Sequence, residues 1–114
     1  MENTDFEIKT SNYKNYTLVT FANLSQLDLY KVTELDSIFK QGNESGKLDW
    51  ILDMTLVEFI DSSGLGVLAR QAMFLNKNGK LLNLTSVHSG VAHLFKASGF
   101  EKLFRIFPDL SYII

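Results

Sequence analysis

The chain has 114 residues, 46% of them hydrophobic and 21% charged, with one proline and seven glycines. That profile fits one globular domain over 1–114 and leaves little room for disordered or low-complexity segments. The net charge is −2, the only arginines are Arg70 and Arg105, and the nine lysines are scattered, so no basic stripe speaks for nucleic-acid binding.

There are no cysteines, which removes disulfides, thiolate nucleophiles and Cys-based zinc sites together. The start, "MENTDFEIKT", is polar and acidic rather than a charged lead into an apolar run, so no signal peptide is expected. No apolar segment approaches the ~20 residues of a membrane span. The expectation is a cytoplasmic protein without a membrane partner.

In chain order, "DFEIKT" alternates Phe6 and Ile8 with polar residues and reads as a half-buried edge strand. "SNYKN" is a polar turn, and "YTLVTFANL" is a second, more apolar strand close enough to pair with the first as a hairpin. From Leu29 the period changes. Val32, Leu35 and Phe39 lie three and four apart with Ile38 beside them, which predicts a helix with Asp28 as N-cap and Gly42 as its stop.

After the loop "GNESGK", the stretch "LDWILDM" alternates Leu48, Trp50, Leu52 and Met54 against Asp49, Ile51 and Asp53. It reads as a strand, and Ile51 predicts partial burial of its second face. "FIDSSGLGVLAR" follows and leads into a helix carrying Leu65, Leu68, Ala72 and Leu75, stopped at Asn78-Gly79. "KLLNLTSV" is a further strand. "HSGVAHLFKASG" is a short helix with Val91, Leu94 and Phe95 inward and Gly99 as its terminal glycine, and "LFRIF" is a last strand before Pro108. The order predicts an α/β fold: a mainly parallel, mixed sheet with an N-terminal hairpin at its edge and three to four crossover helices.

Asp61-Ser62-Ser63-Gly64 falls where strand gives way to helix. Hydroxyls there have a plain use, since Ser62 or Ser63 can cap the exposed N–H groups of the first turn while Gly64 and Gly66 relieve crowding. Enzymatic uses fit poorly. A nucleophile elbow needs G-x-S-x-G, whereas Ser62 follows "FID". A relay through His88 or His93 has no motif behind it. The phosphate-cradling loop G-x-x-x-x-G-K-[ST] is absent, and two histidines without matching carboxylates make no metal site. A third use is one of these serines as acceptor of a phosphoryl group delivered by another protein. A helix start tolerates the added charge, and a partner packing over the loop would have to desolvate it beside Asp61.

"FIDSSGLGVL" resembles the phosphorylation-site segment of bacterial anti-sigma-factor antagonists, the small single-domain members of the STAS class. "LSQLDLYKVTELDSIF" is similar to that family's G-x-L-D segment and following helix. "GKLLNLTSVHSGVAHLFKASGFEKLF" resembles its later strand, helix and close, so the likeness covers nearly the whole chain. The resemblance implies a STAS-like single domain that is not an enzyme and holds no cofactor or metal. Its partners would be an anti-sigma factor with serine kinase activity and a serine phosphatase. Unmodified, it would bind the kinase and release the sigma factor; phosphorylation with the kinase's own ATP would weaken that complex. The acceptor carries over to Ser62, with Asp61, Ser63, Gly64, Leu65 and Gly66 as the motif and Asp28 as the aspartate near it.

Two departures stand out. The G-x-L-D glycine is Ser25 here, and the proline frequent before the third helix is Ser89, which is expected to cap that helix instead. Val67 and Arg70 fall off the Leu65-Leu68-Ala72-Leu75 stripe and are expected to be partly exposed and able to reach a partner. The alternative function from the same fold is a STAS scaffold or transport-associated subunit in which Ser62 is never modified.

Overall fold

In the computed structural model, the residues described are 7–22, 26–28 and 31–113. Phe6, Ser25 and Leu29 of the reading above lie outside them. Strands β1 (Glu7–Tyr13) and β2 (Tyr16–Ala22) form an antiparallel hairpin with Tyr13 opposite Tyr16. The turn is only Lys14-Asn15, with Lys14 at φ 55°. The polar run expected to be loop is therefore mostly strand, because "SNY" pairs residue for residue with β2.

The main sheet has the order β1-β2-β4-β6-β7, with β4 (Trp50–Asp53), β6 (Leu82–Thr85) and β7 (Phe104–Phe107) all running parallel to β2. Helices α1 (Val32–Glu44), α2 (Ser62–Lys77) and α3 (Ser89–Ser98) make the connections. The mixed α/β architecture with a hairpin edge is as read from the sequence. A second, two-stranded parallel sheet was not foreseen: β3 (Gln26–Leu27) pairs with β5 (Phe59–Ile60).

The main core includes Val19 and Phe21 of β2, Trp50 and Leu52 of β4, Leu82 and Leu84 of β6, and the inner faces of the helices. Each such side chain contributes roughly 1.5–3 kcal/mol when fully buried. Strand alternation sends Leu18 and Ile51 to the other face of the sheet, where Ile113 covers them. That cover is held from the entry to the hairpin turn: the Tyr13 hydroxyl donates to the Leu110 carbonyl at 3.3 Å and Lys14 Nζ to the Ile113 carbonyl at 3.0 Å. Ile51 is fully buried, more than its predicted partial burial.

Two helix boundaries differ from expectation. α1 starts at Val32 with Lys31 as the cap residue, not with Asp28. The Asp28 backbone carbonyl accepts from Lys31 and Val32 N–H instead, because Leu27 just before it belongs to β3. Gly42 does not stop α1, which continues to Glu44. Gly46 at φ 80° supplies the left-handed exit. Gly42 serves packing: a Cβ there would come within 2.4 Å of Trp50 Cζ2. α2 and α3 end as read, at Asn78-Gly79 (Gly79 φ 75°) and at the left-handed Gly99. Ser89 does not cap α3; it is the first helical residue, and His88 holds the cap position without a side-chain hydrogen bond.

Candidate functional site

The small β3–β5 sheet builds the site. Leu27 pairs with Ile60, so the next residues, Asp28 and Asp61, leave the same end of that sheet. The Asp61 N–H donates to the Leu27 carbonyl at 3.2 Å, extending the pairing to the first residue of the motif. There the chain turns into α2. Asp61 is extended (φ −91°, ψ −177°), and its Oδ1 accepts from the Gly64 N–H at 2.9 Å while its carbonyl accepts from Leu65.

Asp61 is thus the N-cap, a role the sequence reading had assigned to Ser62 or Ser63. The carboxylate takes the Gly64 N–H, the first-turn donor that a capping hydroxyl would otherwise accept from. Ser62 is the first helical residue and exposed, whereas Ser63 is half-buried. Gly64 is buried, and a Cβ on it would meet the Leu27 carbonyl oxygen at 2.5 Å. This glycine lets α2 lie against β3. Leu65 packs against the main core, and Gly66 faces Arg70. The structure therefore sets Asp28 and Asp61 at one end of the small sheet, with the exposed Ser62 next in the chain, while Gly64 and Leu65 are turned to packing.

The two flanking expectations divide. Arg70 is exposed, with Nη2 at 4.0 Å from Asp36 Oδ1 of α1. Val67 is buried, contrary to expectation. α2 is covered on a wide arc that takes in Val67, Leu68, Ala69, Gln71 and Ala72, so the apolar stripe is broader than its periodicity implied. Beside the motif lies a feature the sequence reading missed. A cleft of about 350 Å³ runs between β5 and α3, with Phe59, Ile60, Val91 and Leu94 among its walls. Phe59 is 54% exposed and Leu56, three residues earlier, 50%. An aromatic directly ahead of "IDSSG" was the available signal.

The histidines are placed for other tasks. His88 Nε2 lies 2.6 Å from the Thr55 carbonyl oxygen, an acceptor, so that nitrogen carries the proton and donates it. His93 is exposed on α3 and lines the cleft. Among the described residues, no group of three or more His, Asp or Glu side chains is arranged to hold a metal ion. No helix among them is long and apolar enough to cross a membrane.

Residues 19–112 match the STAS domain model. The anti-sigma-B factor antagonist of Staphylococcus aureus is 30% identical over 81 residues, which is 71% of this chain and 75% of that protein. An anti-sigma-factor antagonist (STAS) domain protein from Planctomyces limnophilus superposes with a TM-score of 0.82 at 17% identity, covering 92% of each chain. The phosphorylated Bacillus cell fate determinant SpoIIAA superposes with a TM-score of 0.71 at 16% identity, over 95% of this chain and 96% of that one. With the family model spanning most of its length, the chain belongs to the STAS family of anti-sigma factor antagonists, which are binding proteins rather than enzymes.

Proposed function

We propose that this chain is a phosphorylation-controlled antagonist of an anti-sigma factor that is itself a serine kinase. In the unmodified form it binds that kinase in the cytoplasm and releases the sigma factor. The kinase, using its own bound ATP, transfers a phosphoryl group to Ser62 and so weakens the complex; a serine phosphatase restores it.

The observation that carries this reading is the division of labour at the start of α2. Asp61 caps the helix, leaving Ser62 exposed. A phosphate at that position adds roughly 1.5–2 negative charges to the motif surface without removing the hydrogen bond that holds the helix start. Fold and association then respond separately, which a switch requires. The exposed Leu56 and Phe59 and the adjacent cleft supply apolar surface for a partner close to the charge change.

The test is phosphate mapping on protein recovered from its native cell, followed by affinity measurements with anti-sigma factor kinases of that cell. Phosphate on Ser62, retained binding by Ser62→Ala and weakened binding by Ser62→Asp are expected. Absence of phosphate at Ser62 under all growth conditions, with equal affinity of both variants, would overturn the reading in favour of a constitutive STAS scaffold or transport-associated subunit.

A further inference from the structure

Ser62, Gly66 and Arg70 stand at four-residue steps along α2 and therefore share one stripe of its surface. Side chains on a helix lean toward its N-terminus, which aims Arg70 at the turn holding Gly66. The guanidinium is found there: a Cβ on Gly66 would lie 3.5 Å from Arg70 Nη1. Since Gly66 has no side chain, the surface between the guanidinium and Ser62 is bare. Cβ positions one turn apart are separated by about 5–6 Å. A phosphoseryl group reaching back from position 62, together with one N–H hydrogen bond, spans such a gap.

In the unmodified protein the guanidinium sits beside Asp36, at the 4.0 Å limit of an ion pair, with the two side chains 65% and 58% exposed. A long contact between solvated groups holds weakly. A phosphate dianion carries more charge than a carboxylate and three acceptor oxygens that match the guanidinium fork.

We propose that phosphorylation of Ser62 draws Arg70 from Asp36 to the phosphate across Gly66, an inference that rests on Ser62 being the acceptor. Modification then changes the surface in two ways: it adds an anion and withdraws an exposed cation from the partner. Arg70 acts here as the charge partner of the phosphate and takes no part in the transfer. Among the described residues, Asp61 adjoins position 62 and Asp28 leaves the same end of the small sheet, so both oppose the phosphate, and Lys31, whose N–H donates to the Asp28 carbonyl, is the cation to test against Arg70.

The experiment installs phosphoserine at position 62 of the full chain during translation, so no kinase is needed, and follows the phosphate by phosphorus NMR against pH. A nearby cation favours the dianion and lowers its protonation midpoint. Arg70→Ala should therefore raise that midpoint by about 0.2–0.7 pH units, the range of an exposed ion pair. Lys31→Gln should move it less, and the Arg70 Nε–H resonance should shift between the unmodified and phosphorylated proteins. An unchanged midpoint in Arg70→Ala, or a larger rise in Lys31→Gln, overturns the proposal. Because the phosphate is built in, that result would leave the assignment of Ser62 as acceptor to the mapping experiment.

Discussion

Asp61 Oδ1 accepts a hydrogen bond from the Gly64 backbone N–H at 2.9 Å, and this contact, not either serine, caps the helix that presents Ser62. Asp61→Ala should cost about 0.5–2 kcal/mol of unfolding free energy. Ser62→Ala, an exposed change with no cap to lose, should stay within about 0.5 kcal/mol of the parent. Urea unfolding of the two variants checks this. A larger loss in Ser62→Ala than in Asp61→Ala would return the cap to the serine.

The glycines of the motif should respond in opposite directions. A Cβ on Gly64 meets the backbone oxygen of Leu27 at 2.5 Å, and a backbone atom paired into β3 cannot move aside cheaply. Gly64→Ala should destabilise by roughly 1–3 kcal/mol, in the range of other overpacked sites. At Gly66 the nearest atom is the mobile end of Arg70, at ordinary contact distance. Gly66→Ala should therefore be neutral or gain up to about 1 kcal/mol from helix propensity. Thermal melts of the pair distinguish close approach from a general need for glycine.

Gly42 and Trp50 offer a third test with a built-in reporter, because Trp50 is the only tryptophan. Its indole donates to the Lys47 carbonyl at 2.8 Å and meets the Phe39 ring edge-on at 5.2 Å between centroids. Alanine at position 42 would favour α1 by about 1 kcal/mol on propensity alone. Its Cβ would displace the indole, which should cost roughly 1–3 kcal/mol and prevail. A shift in tryptophan emission with a lowered midpoint of unfolding is expected. An unchanged spectrum would show that the ring yields without cost.

Thr85 and Asn83 lie on the same face of β6, yet only one is satisfied. Asn83 Nδ2 donates to the Trp50 carbonyl at 3.0 Å, whereas the fully buried Thr85 Oγ1 has no hydrogen-bond partner among the described residues. A buried hydroxyl without a partner carries an uncompensated desolvation cost of about 1–3 kcal/mol. Thr85→Val, similar in shape, should therefore raise stability by about 1 kcal/mol. Lower stability in calorimetry would mean that the hydroxyl has a partner after all.

The alternation of strand and helix, the hairpin edge and the C-terminal ends of α2 and α3 were legible from local pattern, while the role of Ser62 was read through a family resemblance. Periodicity and turn glycines act over a few residues, and the sequence carries them directly. What tertiary structure decided was nonlocal. The pairing of Leu27 with Ile60 takes residues expected to lead into α1 and makes them strand, so α1 begins later than Asp28 would set it. Packing against Trp50 keeps Gly42 inside a helix that its propensity would end. Which residue capped α2 was ambiguous among three adjacent polar side chains, because any of them can reach a first-turn N–H. The backbone bond from Asp61 to Leu27 resolved it by holding Asp61 extended at the turn, which put its carboxylate on Gly64 and left Ser62 facing outward.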